Sequence, residues 1–280
     1  MGSHSIIPVN FPVDFERRFG GIARLYGSAG AARIAQAHVC VVGIGGVGSW
    51  TAESLARSGV GQLTLIDLDQ VAESNLNRQI QALEDTLGMA KVDAMAQRIA
   101  QINPTCRVTC IEDFVGPENV AQIFATRFDW VVDASDQVLA KCAMLAHCAA
   151  HRQAIITLGA AGGKTDPTRI AVTDLSRTLQ DPLLASVRAR LRRHHGFPRG
   201  DKKFGLPSVY SSQPLIRPRL ESPCAAPITN TNDPQSETAP AALQGLSCAG
   251  YGSAMHVTAV FGLCAAGYVL NQLADDGNVV

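Results

Sequence analysis

A run of glycines constrains this chain more than any other feature. Gly43-Ile44-Gly45-Gly46-Val47-Gly48 follows the apolar stretch 39–43 (VCVVG) and leads into apolar residues at helical spacing over 47–58. Strand, tight turn and helix in that order make a phosphate-holding corner. The glycines let the backbone turn sharply and approach a ligand, while the first amides of the helix, backed by its dipole, point at negative charge. Such a corner belongs to an alternation of strands and helices. Further short apolar runs at 63–67 (LTLID), 130–133 (WVVD) and 154–158, and the alternating Val108 and Cys110 of 107–111, read as strands. Residues 89–102 and 140–151 carry helical spacing between them. The expected fold is therefore α/β: a Rossmann-like, mostly parallel sheet with helices on both faces, plus a C-terminal extension with a mobile loop.

The 280 residues, 46% hydrophobic and 17% charged, suffice for a large buried core, and 24 basic residues balance 24 acidic ones. Three stretches follow: an N-terminal helical segment (1–37), a nucleotide-binding core (38–165) and a C-terminal substrate-binding part (166–280). The last holds a basic segment at 177–203, a loop at 221–245 rich in Pro, Ala, Thr, Asn and Gln, and an apolar helix at 254–273. That helix has the length of a membrane span, but His256, Thr258, Asn271 and Gln272 interrupt it, so a buried helix is expected over membrane association. Eight cysteines occur without any Cys-x-x-Cys pair, so no structural zinc site or dense disulfide framework is expected; reduced thiols fit a cytoplasmic protein. Cys40, Cys110 and Cys264 read as core residues, Cys224 and Cys248 as loop residues.

Asp67 closes the second strand 19 residues after Gly48, where a carboxylate can accept hydrogen bonds from a ribose. To that point a redox dinucleotide and ATP fit equally. The following residues separate them: Asp69, then Asn75, Arg78 and Gln79, then Gly88 to Lys91. A dinucleotide carries only a pyrophosphate bridge, whereas a triphosphate calls for added cations, here the planar fork of Arg78 and the point charge of Lys91.

Five ordered motifs then carry a resemblance: the glycine turn Gly43, Gly45, Gly46 and Gly48 with Ser49; Asp67/Asp69; Ser74-Asn75-Leu76-Asn77-Arg78-Gln79; Gly88 to Lys91; and Asp133/Asp136. Over most of residues 15–165 they are similar to the ubiquitin-activating-enzyme-like adenylyltransferases. The resemblance implies that Asp67 holds the ribose, that Asn75, Arg78, Gln79 and Lys91 contact the phosphates, and that Asp136 ligates Mg²⁺ near the α-phosphate. Arg78, Lys91 and Asp136 would then be catalytic, with ATP and Mg²⁺ required. Many relatives also begin with an R-Y-x-R-Q stretch whose second arginine reaches the partner subunit's ATP site. Gly21 stands at that place here, leaving Arg24 or Arg18 to substitute in a homodimer.

The stretches 18–27 (RFGGIARLYG), 209–214 (VYSSQP) and 248–262 (CAGYGSAMHVTAVFG) resemble a tRNA-modifying branch of that family. It adenylates and cyclises N6-threonylcarbamoyladenosine. The alternative is activation of a ubiquitin-like carrier for sulfur transfer, with sulfur-relay proteins as partners. Phosphates of tRNA are expected at Arg188, Arg190, Arg192, Arg193, Lys202 and Lys203.

Overall fold

The computed structural model describes residues 14–217 and 251–275. Helix α1 (Phe15–Gln36), capped by the Asp14 carboxylate and broken at Gly27, leads into strand β1 (His38–Val42) and helix α2 (Gly48–Arg57). Strand β2 (Gln62–Ile66), helix α3 (Lys91–Ile102), strand β3 (Arg107–Ile111), the short helix α4 (Val120–Ile123), strand β4 (Trp130–Asp133), helix α5 (Val138–His151) and strand β5 (Ile155–Leu158) follow. Then come strand β6 (Ile170–Asp174), helix α6 (Pro182–His194), strand β7 (Pro207–Ser211) and helix α7 (Met255–Ala274).

One seven-stranded sheet runs β3-β2-β1-β4-β5-β7-β6. Every neighbouring pair is parallel except β6 with β7. Strand alternation sorts the side chains into two cores. Val39, Val41, Leu63, Leu65 and Val132 face α2, α3 and α7, while Cys40, Val42, Ile66, Val131 and Ile155 face α5 and α6. This is the expected Rossmann-like sheet covered on both faces. The antiparallel β6–β7 edge was not anticipated, because both strands are short and Val172 is half exposed, which leaves little apolar signal.

Helix α7 meets the length and composition of a membrane span, yet half of its most apolar window is buried. Its Tyr268 ring packs edge-on against Trp130 of β4, and Thr51 of α2 donates to the Gly262 carbonyl at 3.1 Å. It thus covers one face of the sheet. The 221–245 loop, Cys224 and Cys248 lie outside the described residues.

Candidate active site

The strand order reverses between β1 and β4, and a cleft of about 510 Å³ opens beyond the carboxyl ends of these strands. Its floor is the glycine turn. Gly43 adopts φ 87°, and a Cβ there would lie 2.8 Å from the Ala134 carbonyl oxygen. At Gly48 a Cβ would collide with the Gly43 carbonyl, so the first turn of α2 can sit this close to β1 only with glycine. Two side chains hold the turn from below. Asp67 Oδ2 accepts the Ile44 amide at 2.6 Å, and Gln81, 1% exposed, donates to the Ile44 carbonyl at 2.9 Å. Gln81 lies beyond the recognised motifs, and no spacing rule points to it.

On one wall, Lys91 at the start of α3 is nearly buried, 2.6 Å from Asp69 and 4.0 Å from Asp67. Burial pushes the Asp67 carboxyl up, while Lys91 and the amides of Asp69 and Ile44 oppose the rise. The stem of Arg78 crosses Gly46, and its guanidinium donates to the Ser74 carbonyl at 2.6 Å and to Asn77 at 2.9 Å. Desolvation lowers its pKa. Asn75 lines the cleft, but its carboxamide oxygen already accepts the Ala72 amide, shaping the turn that presents Arg78. Gln79 is buried beside them.

The opposite wall is the exit of β4. Asp133 is wholly buried; its Oδ1 accepts the Ser135 amide and hydroxyl, and its Oδ2 accepts Thr157 at 2.6 Å and Lys141 at 3.1 Å. That tie fixes the start of the loop carrying the exposed Asp136. Lys141, 0% exposed, was not singled out from sequence: within the apolar face of α5 it reads as an incidental basic residue until the fold sets it against Asp133. A side cavity of about 240 Å³ adjoins the cleft, walled by Leu68, Phe114 and Val115 and edged by Asp67 and Asp113. Such walls can take a flat ring, with a carboxylate at the edge of the cavity.

Gly43, Gly45, Gly46, Asp67, Asp69, Asn75, Arg78, Gln79, Lys91 and Asp136 therefore converge on one cleft. Gly48 and Ser49 do not line it: Gly48 packs behind the turn, and Ser49 is wholly buried in α2. Arg24 stands exposed on α1, away from the cleft of its own chain. The basic segment divides as well. Arg188 donates to Thr178, and Arg192 donates to the Pro198 and Gly200 carbonyls while lying 5.3 Å over the Phe204 ring, so both serve the fold of the region. Arg190 is half-buried, and Arg193, Lys202 and Lys203 are exposed. Among the described residues, Cys40, Cys142 and Cys148 are buried and Cys106, Cys110 and Cys264 partly so.

A model of the ThiF family matches residues 19–278. The chain is 45% identical to tRNA threonylcarbamoyladenosine dehydratase of Haemophilus influenzae, covering 93% of this chain and 94% of that one. It is 46% identical to the Escherichia coli protein of the same name, covering 92% and 94%. The crystal structure of that Escherichia coli enzyme in complex with ATP superposes with a TM-score of 0.80 at 44% identity, covering 95% of this chain and 97% of the other.

Proposed function

The chain belongs to the ThiF family, and from that premise we propose that it dehydrates N6-threonylcarbamoyladenosine in tRNA to the cyclic form, using ATP. The observation that carries this reading is the joining, in one cleft, of the glycine turn with Arg78, Lys91 and Asp136. Similarity over nearly the whole length to two dehydratases supports the tRNA substrate.

ATP would lie with its base in the cavity beside Leu68 and Phe114, its ribose on Asp67 and its phosphates over the glycine turn. The threonyl carboxylate of the modified nucleoside attacks the α-phosphorus, and pyrophosphate leaves. Arg78 and Lys91 are already desolvated against the wall, so their charge meets the developing oxyanions with little reorganisation. Asp136 is an exposed hard-oxygen donor at the cleft and fits an ion that takes one or two carboxylates and completes its shell with water and phosphate. It would hold Mg²⁺, which supplies positive charge against the phosphates. A nucleophile within the same modification then attacks the acyl-adenylate and closes a ring. AMP departs, and one water is lost overall. Ring closure draws on the high effective molarity of an attached nucleophile, so no enzyme thiol is needed.

The exposed Arg193, Lys202 and Lys203, with Arg190, are offered to tRNA phosphates, in a cytoplasmic setting. Arg24 and the 73% exposed Leu25 beside it suit a homodimer in which Arg24 reaches the ATP of a second copy. Sulfur-relay proteins are a further class of partner.

The deciding experiment incubates purified protein with ATP, Mg²⁺ and tRNA bearing the modification, then weighs the nucleosides. Loss of one water from the modified adenosine, with AMP formed, is expected. Release of AMP and pyrophosphate without that loss would overturn the reading. Exchange of pyrophosphate that depends on a carrier tail rather than on tRNA would shift it to carrier activation.

A further inference from the structure

At the opposite end of the sheet from the cleft, three helices bring three arginines to one cavity of about 440 Å³. Arg18 comes from α1, Arg57 from the last turn of α2 and Arg98 from α3, with Gln101 and Ile102 beside them. Among the described residues, one carboxylate pairs with two of them. Glu53, its side chain 5% exposed, accepts Arg57 at 2.7 Å and Arg98 in a bidentate pair at 2.7 and 3.0 Å. Arg18 donates one guanidinium nitrogen to the Ile102 carbonyl at 2.9 Å, a contact that orients it without neutralising it.

Among the described residues, three cations and one paired anion leave two positive charges without an ion-pair partner around the cavity. Like charges lining one cavity repel, and each guanidinium carries N–H donors beyond those spent on Glu53 or Ile102. Glu53 holds Arg98 through two nitrogens and Arg57 through Nε, which orients both before an anion arrives. A tetrahedral oxyanion of charge near two would complete both the charge and the donor set, and the guanidinium fork matches its geometry.

We propose that this cavity is a phosphate-binding site. It is separate from the cleft: none of its residues lines the cleft, and its helices meet there through their distal ends. The phosphate belongs either to the backbone of an RNA or to a small free oxyanion, since both present the same group.

The test compares the wild-type protein with Arg18→Gln, Arg57→Gln and the double variant. Arg98 is left alone because its bidentate pair with buried Glu53 supports the packing of α2 on α3. One arm follows thermal unfolding against added inorganic phosphate; any binding in the cleft contributes equally to all variants and cancels. The other follows binding of an unmodified tRNA transcript by anisotropy across a salt series. ATP-pyrophosphate exchange by Arg57→Gln serves as a control and should be unchanged. If RNA is the source, the double variant should bind tRNA about tenfold more weakly, and the slope of log affinity against log salt should fall by about two. If a free oxyanion is the source, the double variant should lose the phosphate-induced rise in melting temperature while tRNA binding stays level. Equal behaviour of wild type and double variant in both arms would overturn the proposal. Because neither arm depends on turnover, that outcome is distinct from a failure of the proposed dehydration.

Discussion

Replacing Lys141 by methionine should be among the most damaging single changes outside the cleft. The ammonium and the Asp133 carboxylate are both 0% exposed, 3.1 Å apart, with Thr157 and the Asp133 carbonyl each 3.2 Å from the ammonium. Methionine fills a similar volume, so the change removes charge more than packing. The carboxylate then remains buried, satisfied by Ser135 and Thr157 but with no counter-charge. Breaking a buried pair in this way costs about 3–5 kcal/mol, a large part of the roughly 5–15 kcal/mol that holds a domain together. Asp133→Asn, leaving Lys141 stranded, should cost a similar amount. The double variant removes both charges and should fall short of the sum of the single costs by about 1–3 kcal/mol. Urea unfolding, followed through the fluorescence of Trp130 at the head of β4, measures all three. A Lys141→Met protein within about 0.5 kcal/mol of wild type, or a double variant equal to the sum of the singles, would refute the argument.

Arg78→Ala and Lys91→Ala should each lower ATP-dependent turnover by about 10²–10³. Lys91→Ala should cost only about 1 kcal/mol of stability because its main partner, Asp69, is largely exposed; a loss under tenfold, or failure to fold, would contradict the placement. Asp174 is held below the usual carboxylate range: burial opposes this, but hydrogen bonds from Ser176, Phe204 and Gly205 prevail. A depressed folded pKa gives stability that is present above the unfolded value of about 4 and lost as pH falls through the folded one. Asp174→Asn should therefore be less stable at neutral pH, by about 1–2 kcal/mol, and show a flatter acid limb in denaturation at stepped pH; identical acid limbs would count against it. Burial pushes the Cys106 and Cys110 thiols up to about 11 and those of Cys142 and Cys148 up to about 12. At pH 8 their thiolates are then about a thousandth of the population or less. Alkylation mapped by mass spectrometry should be slow at all four until the protein is unfolded, and fast labelling of any one in the folded state would refute this.

The parallel core of the fold and the identity of the cleft were legible in the order of residues because they rest on local rules. A strand buried on both faces is a short apolar run, as at 130–133, and a glycine turn between strand and helix has one geometry. Arg78 and Lys91 are legible as phosphate ligands through the ordered motifs that follow the turn, although they stand 30 and 43 residues beyond Gly48, and the fold brings both to the cleft. What the sequence could not decide was which side chains the packing of separate elements sets against each other. Asp133 meets Lys141 and Thr157 only once β4, α5 and β5 are packed, and Gln81 reaches Ile44 only when the segment after Arg78 folds back under the turn. The basic segment shows the same limit. Its charge was plain from composition, but whether an arginine faces solvent or spends its donors on Thr178, Pro198 and Gly200 depends on where α6 lands. Likewise, Arg18, Arg57 and Arg98 lie on three separate helices, and only the packing of α1, α2 and α3 makes them neighbours. Periodicity and turn chemistry act within a few residues and so are written along the chain, whereas the neutralisation of a buried charge depends on whatever the fold brings beside it.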